Sequence, residues 1–172
     1  MSMREVSPKF SAESFFEFGF PYVGELSYGW RSGLLHTSTL QQVIGELNRR
    51  ALPLASEERD IAFRLPDDVE AVRGMVGDLQ RYEKADSCDV WQYYVAAAIE
   101  RATTDLATRF DLLDSAWADL EYPTEMRDVI YPEGGMPSHL DTEAGNRELA
   151  KFMHRWHERL SRRRPESRAS NN

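Results

Sequence analysis

The chain has 172 residues, enough for one domain with a core of its own, and 41% apolar with 29% charged residues marks a folded globular protein rather than a disordered one. The single cysteine, Cys88, excludes an intramolecular disulfide and a cysteine-based zinc site. A formal net charge of −8 argues against nucleic acid or an anionic membrane as a direct partner.

The opening residues MSMREVSPKFSAES carry no basic start followed by an apolar run, so no signal peptide is read there. No apolar stretch approaches the roughly 20 residues that span a bilayer. A cytoplasmic protein is the expectation. In chain order, short helices are predicted at about 11–18 and 25–33. Gly24 and Gly29, like Gly134-Gly135, belong to no phosphate-loop pattern, and Gly29 and Gly33 are read as points of close approach or helix ends. Leu40, Val43, Ile44 and Leu47 then recur at helical spacing behind Thr37, Ser38 and Thr39, any of which suits a cap. A short helix at 57–64 is favoured over a strand, because Ser56 caps well and Glu57 and Glu58 suit a first turn.

Val69, Val72, Met75, Val76 and Leu79 form a second stripe, opened by Pro66, Asp67 and Asp68. Trp91, Tyr94, Val95, Ala98 and Ile99 form a third, entered through Ser87 and Asp89. Leu106, Phe110, Leu113, Trp117 and Leu120 form the most regular one, and Trp91, Phe110, Leu113 and Trp117 are expected in the core. A short helix at 124–130 is followed by Tyr131-Pro132-Glu133-Gly134-Gly135-Met136-Pro137, which cannot continue a helix. Leu149, Phe152, Met153, Trp156 and Leu160 close the series. No hairpin signal with alternating flanks occurs, so the fold class is all-α: a bundle of about seven to nine helices, with antiparallel pairs that a short α-solenoid would also show. One domain over residues 1–160 is expected, followed by a basic, disordered tail over 161–172.

Charge is uneven along this series. Residues 1–150 hold 27 acidic and 14 basic residues, a net of −13, whereas residues 151–172 hold seven basic and two acidic, a net of +5. Residues 111–148 alone hold ten acidic and two basic residues. Asp111, Asp114 and Asp119 fall off the apolar stripe of their helix, and Glu121, Glu125, Asp128 and Glu133 follow. Such a run is either a solvated face or a patch that meets a basic partner. Tyr93, Tyr94 and Tyr122, with Trp30, Trp91 and Trp117, are candidate interface anchors, and Tyr93, which falls off its stripe, is the better one.

The remaining chemistry-bearing residues form no motif. His154 and His157 stand three apart without HExxH and read as a surface or interface pair rather than metal ligands. His36 and His139 have no neighbours that suggest a site. Cys88 sits near a helix start beside Asp86 and Asp89, which disfavour a thiolate, and is read as a small structural residue. No catalytic residue, cofactor or metal is expected.

Three segments carry a resemblance. Tyr28-Gly29-Trp30-Arg31-Ser32-Gly33-Leu34-Leu35 is similar to a Gly-Trp element, and Val90-Trp91-Gln92-Tyr93-Tyr94-Val95 to a Trp-aromatic helix. Leu113, Trp117, Glu121-Tyr122-Pro123, Met126, Tyr131 and Met136-Pro137 resemble an aspartate-rich helix, a Tyr-Pro turn and a closing Tyr-Met-Pro. Together they resemble a family of small bacterial proteins classed as a domain of unknown function, over roughly residues 14–137. Pro132-Glu133-Gly134-Gly135 interrupts the closing Tyr-Met-Pro, so that loop departs from the pattern. Members are often encoded beside polymorphic toxins, which implies an immunity protein that binds and blocks a cognate toxin domain, a nuclease among the candidates. A helical adaptor or scaffold is the alternative, and an enzyme built from scattered carboxylates or histidines is a third reading.

Overall fold

A computed structural model describes residues 10–64 and 67–170. Among them are eight α-helices and four short 3-10 helices, and no strand. Pro66, expected at the start of a helix, lies outside the described residues. Contacts divide the chain into two compact units. One is built from Asp89–Arg159, the other from Phe10–Cys88 with the segment from Leu160 onward.

The second of these units contains α1 (Val23–Arg31), α2 (Thr37–Arg49), α3 (Ser56–Ala62) and α4 (Val69–Asp78), with 3-10 helices at Ala12–Phe15, Leu79–Tyr82 and Pro165–Ser167. Leu40, Val43, Ile44 and Leu47 of α2 are fully buried, as are Val72, Val76 and Leu79, so both stripes face the core. Met75 is half-buried and Val69 exposed, because the second stripe turns out to solvent at its start. α4 touches α1 and α2 as well as α3, which makes this unit a closed cluster rather than a ladder of neighbours. Gly24 is required: a Cβ there would run into the Tyr82 carbonyl.

Helix starts differ from expectation. Neither Thr37, Ser38 nor Thr39 caps α2, whose N-cap position is His36. Ser56 does not cap α3. The Ala55 N–H donates instead to Glu58 Oε2 at 2.9 Å. α1 begins the same way, with the Tyr22 N–H donating to Glu25 Oε2 at 2.9 Å. In both, a glutamate reaches back from the third helical residue to satisfy one orphan donor.

The same two glutamates hold the segment expected to be disordered. Arg163 donates to Glu25 (Nη1 at 2.8 Å, Nη2 at 2.5 Å), to the Phe20 carbonyl at 2.9 Å, and lies 4.2 Å over the Tyr22 ring. Arg168 donates to both carboxylate oxygens of Glu58 at 2.6 Å and to the Pro53 carbonyl at 2.8 Å. The Arg168 and Glu58 side chains are both completely buried. The arginine-rich composition of 161–172 suggests a solvated tail, but two of its guanidiniums are internal ion-pair partners, a use that composition does not reveal.

The other unit contains α5 (Asp89–Ala102), α6 (Leu106–Asp119), α7 (Arg127–Ile130), a 3-10 helix at Thr124–Met126, and α8 (Thr142–Ser161) as far as Arg159. Every residue of α5 from Val90 to Ile99 is buried, so this helix has no solvent face. α6 packs on α5 and on α7. It starts with Asp105 accepting the Thr108 N–H at 2.8 Å. Phe110, Leu113 and Ala116 are its buried face. α8 buries Leu149, Phe152, Met153 and Trp156. Its Gly145 leaves room for Ser138 and the Phe110 ring, which a Cβ would approach to 2.5 and 2.8 Å. Between α7 and α8 the predicted break holds, with Gly134 and Gly135 at φ of 119° and 78°.

Candidate functional site

The acidic stretch 111–148 lies wholly in the unit built on α5 and α6, and the end of α6 shapes it. Glu121 N–H donates to the Ala118 carbonyl at 3.1 Å and Tyr122 N–H to the Trp117 carbonyl at 2.8 Å. This pairing is a Schellman ending, normally made with glycine. Here Glu121 and Tyr122 occupy the left-handed region at φ of 61° and 59°. Pro123 follows and prevents any return to helix. The outcome is that Tyr122 points into solvent, 62% exposed.

Trp117, expected in the core, is half-buried instead. Its Nε1–H donates to the Pro123 carbonyl at 3.0 Å, which ties the ring to the turn. Tyr122 packs edge-on against it at 4.9 Å between centroids, and Tyr131 at 5.8 Å. A three-ring cluster thus stands at the surface. Among the described residues, Tyr122, Tyr131, Met136 and Leu140 make up four of the six exposed large hydrophobic residues. They share the stretch that carries the densest negative charge.

The seven predicted carboxylates do not converge on one point. Asp111 and Asp114 sit three apart on one side of α6, Asp111 exposed and Asp114 half-buried. The Asp111 carboxylate lies 4.0 Å from His139 Nδ1. Asp119 and Glu121 are exposed at the helix end. Glu125 is engaged by Arg159 Nη1 at 2.8 and 2.9 Å, and Arg159 lies 4.8 Å over the Trp156 ring. Asp128 and Glu133 are exposed and border a groove of about 550 Å³ with Arg127, Tyr131, Gly135 and the Glu148–Lys151 ion pair.

Tyr93 is a correction. Expected at an interface, it is 1% exposed, packed on Trp156 at 6.2 Å and edge-on to His157 at 5.5 Å. Tyr122, already among the candidate anchors, and Tyr131 are the exposed tyrosines. Their signal was adjacency to Pro132 and Pro123, since a residue at a helix break is free of the helical stripe. His154 is exposed and His157 half-buried. Among the described residues no group of three or more histidine, cysteine or carboxylate side chains is arranged to hold a metal ion. Cys88 is half-buried.

A family model described as an uncharacterized protein conserved in bacteria (DUF2247) matches residues 19–164. The chain belongs to this family. The DUF2247 match runs past the 14–137 span of the resemblance and takes in α8 and Arg163, so the basic C-terminal helix is part of the family's domain. No match was found among curated proteins or among solved structures. Among the described residues no helix is long and apolar enough to cross a membrane.

Proposed function

We propose that this DUF2247 protein is a cytoplasmic immunity protein, which binds one cognate toxin domain and blocks it by steric occlusion with an acidic surface. The observation that carries the reading is the coincidence, within residues 111–148, of the chain's densest negative charge with four exposed large hydrophobic side chains. Aromatic anchors in a charged rim are the composition of a protein interface rather than of a surface selected only for solubility. A nuclease is a natural target, because its substrate cleft is basic and an acidic face would occupy it. Charge complementarity speeds the encounter and rejects wrong partners, while the aromatic side chains supply contact area. The resemblance that implies an immunity role adds independent support.

The test places two reversals on α6, at exposed carboxylates clear of the ring cluster. Asp111→Lys with Asp119→Lys is co-expressed with each toxin domain that a neighbouring gene proves to encode, and survival is scored against the parent. Loss of protection with an unchanged melting temperature is expected. Full protection by the double variant would remove the acidic face from the mechanism, and failure of the parent chain to protect would remove the immunity role.

A further inference from the structure

Five arginines are held in one recurring way. Arg31 lies over Tyr28, Arg50 over Phe16, Arg81 over Tyr82, Arg159 over Trp156 and Arg163 over Tyr22, at 4.2–5.9 Å from the ring centroids. Each of the five is also ion-paired to a glutamate: Glu83, Glu46, Glu57, Glu125 and Glu25 in the same order. A ring face plus a carboxylate is what a planar, weakly hydrated guanidinium needs. The groove beside Tyr131 has the same two components. Tyr131 is 41% exposed and braced from behind by Trp117. Asp128 and Glu133 line the groove with it. Among the described residues no arginine lies over Tyr131, and neither carboxylate has an ion-pair partner. Arg127 reaches the groove wall without covering the ring.

We infer that this groove receives an arginine side chain of a protein partner, its guanidinium on the Tyr131 ring and its N–H groups donating to Asp128 and Glu133. The inference rests on the proposed function, since it names the chemistry of one contact on the same face. Arginine is preferred to lysine because a point-charge ammonium gains less from a ring and cannot form the planar fork.

The experiment is a nuclear magnetic resonance titration of the full chain with the peptide acetyl-Gly-Arg-Gly-amide, and with its lysine counterpart. The readouts are the Gly135 amide and the Trp117 indole N–H, the latter assigned by its loss in Trp117→Phe. Saturable shifts at both are expected, with the lysine peptide binding about tenfold more weakly. Tyr131→Phe should retain binding and Tyr131→Ala should lose it. Because Tyr131→Ala removes packing on Trp117, Asp128→Asn with Glu133→Gln serves as a second variant, expected to weaken arginine binding about tenfold. Absence of a saturable shift, or equal binding of both peptides by parent and variants, overturns the inference. Toxin protection is scored on the same proteins. Protection that survives in both groove variants defeats the groove and spares the immunity reading, whereas arginine binding in a chain that protects against nothing does the reverse.

Discussion

Among the described residues, three non-glycine residues sit in the left-handed region, and each lies at a helix end. Ala51, at φ 55°, terminates α2 with Ala51 N–H donating to the Asn48 carbonyl and Leu52 N–H to the Leu47 carbonyl, both at 3.0 Å. Glu121 and Tyr122 do the same for α6. Gly33, at φ 80°, ends α1 in the same geometry without strain. A left-handed L-residue costs about 1–2 kcal/mol, and glycine returns part of that gain through its freedom in the unfolded chain. Ala51→Gly should therefore stabilise the protein by roughly 1 kcal/mol, raising the melting temperature by about 2–4 °C. A lower melting temperature would show that the turn is not strained. Glu121→Gly should be similar in sign, with the added consequence that loosening the Tyr122 turn weakens partner binding. The ending at Ala51 was illegible in the sequence, because alanine there reads as continuing helix, whereas Pro123 and the Tyr-Pro turn marked the end of α6 without showing its left-handed geometry.

At the scale of elements, amphipathic spacing was a good guide in the middle of helices with one wet face and a poor one at their ends. α2 is such a helix, and its four stripe residues are all fully buried. Trp91, Phe110 and Leu113 are buried as expected, but Trp117 is only partly so, since α6 is about to end and its last turn faces the surface cluster. α5 is buried all round, and for such a helix a stripe has no meaning. That is why Tyr93, off the stripe, was misplaced. Long-range ion pairs were equally hidden. Glu25 and Arg163, or Glu58 and Arg168, are more than a hundred residues apart, and nothing in either neighbourhood announces the other. Arg168 is a direct test of what they do. Arg168→Ala leaves a fully buried Glu58 carboxylate without its guanidinium and should cost about 3–5 kcal/mol in denaturant unfolding. Replacing the pair with apolar residues, Arg168→Met with Glu58→Leu, should recover much of that loss. If Arg168→Ala unfolds at the parent's denaturant concentration, the segment after Leu160 does not contribute to stability.

For the whole molecule, the all-α class and the concentration of charge in 111–148 could be read directly, because both are sums over many residues. The exposed ring cluster could not, because it depends on how one helix ends. In this DUF2247 protein the unit built on α5 and α6 carries both exposed carboxylates and exposed aromatic rings, and we propose that they meet a basic partner. Screening makes this claim measurable, since charges on a surface lose their reach as salt rises. The decisive measurement is the stopped-flow association rate of the chain with the toxin domain proposed as its partner, from about 0.05 to 0.5 M salt. The parent's rate should fall by roughly tenfold or more across that range, and Asp111→Lys with Asp119→Lys should associate more slowly with a flatter dependence. A rate that ignores salt and is the same in parent and double variant would contradict an acidic docking face.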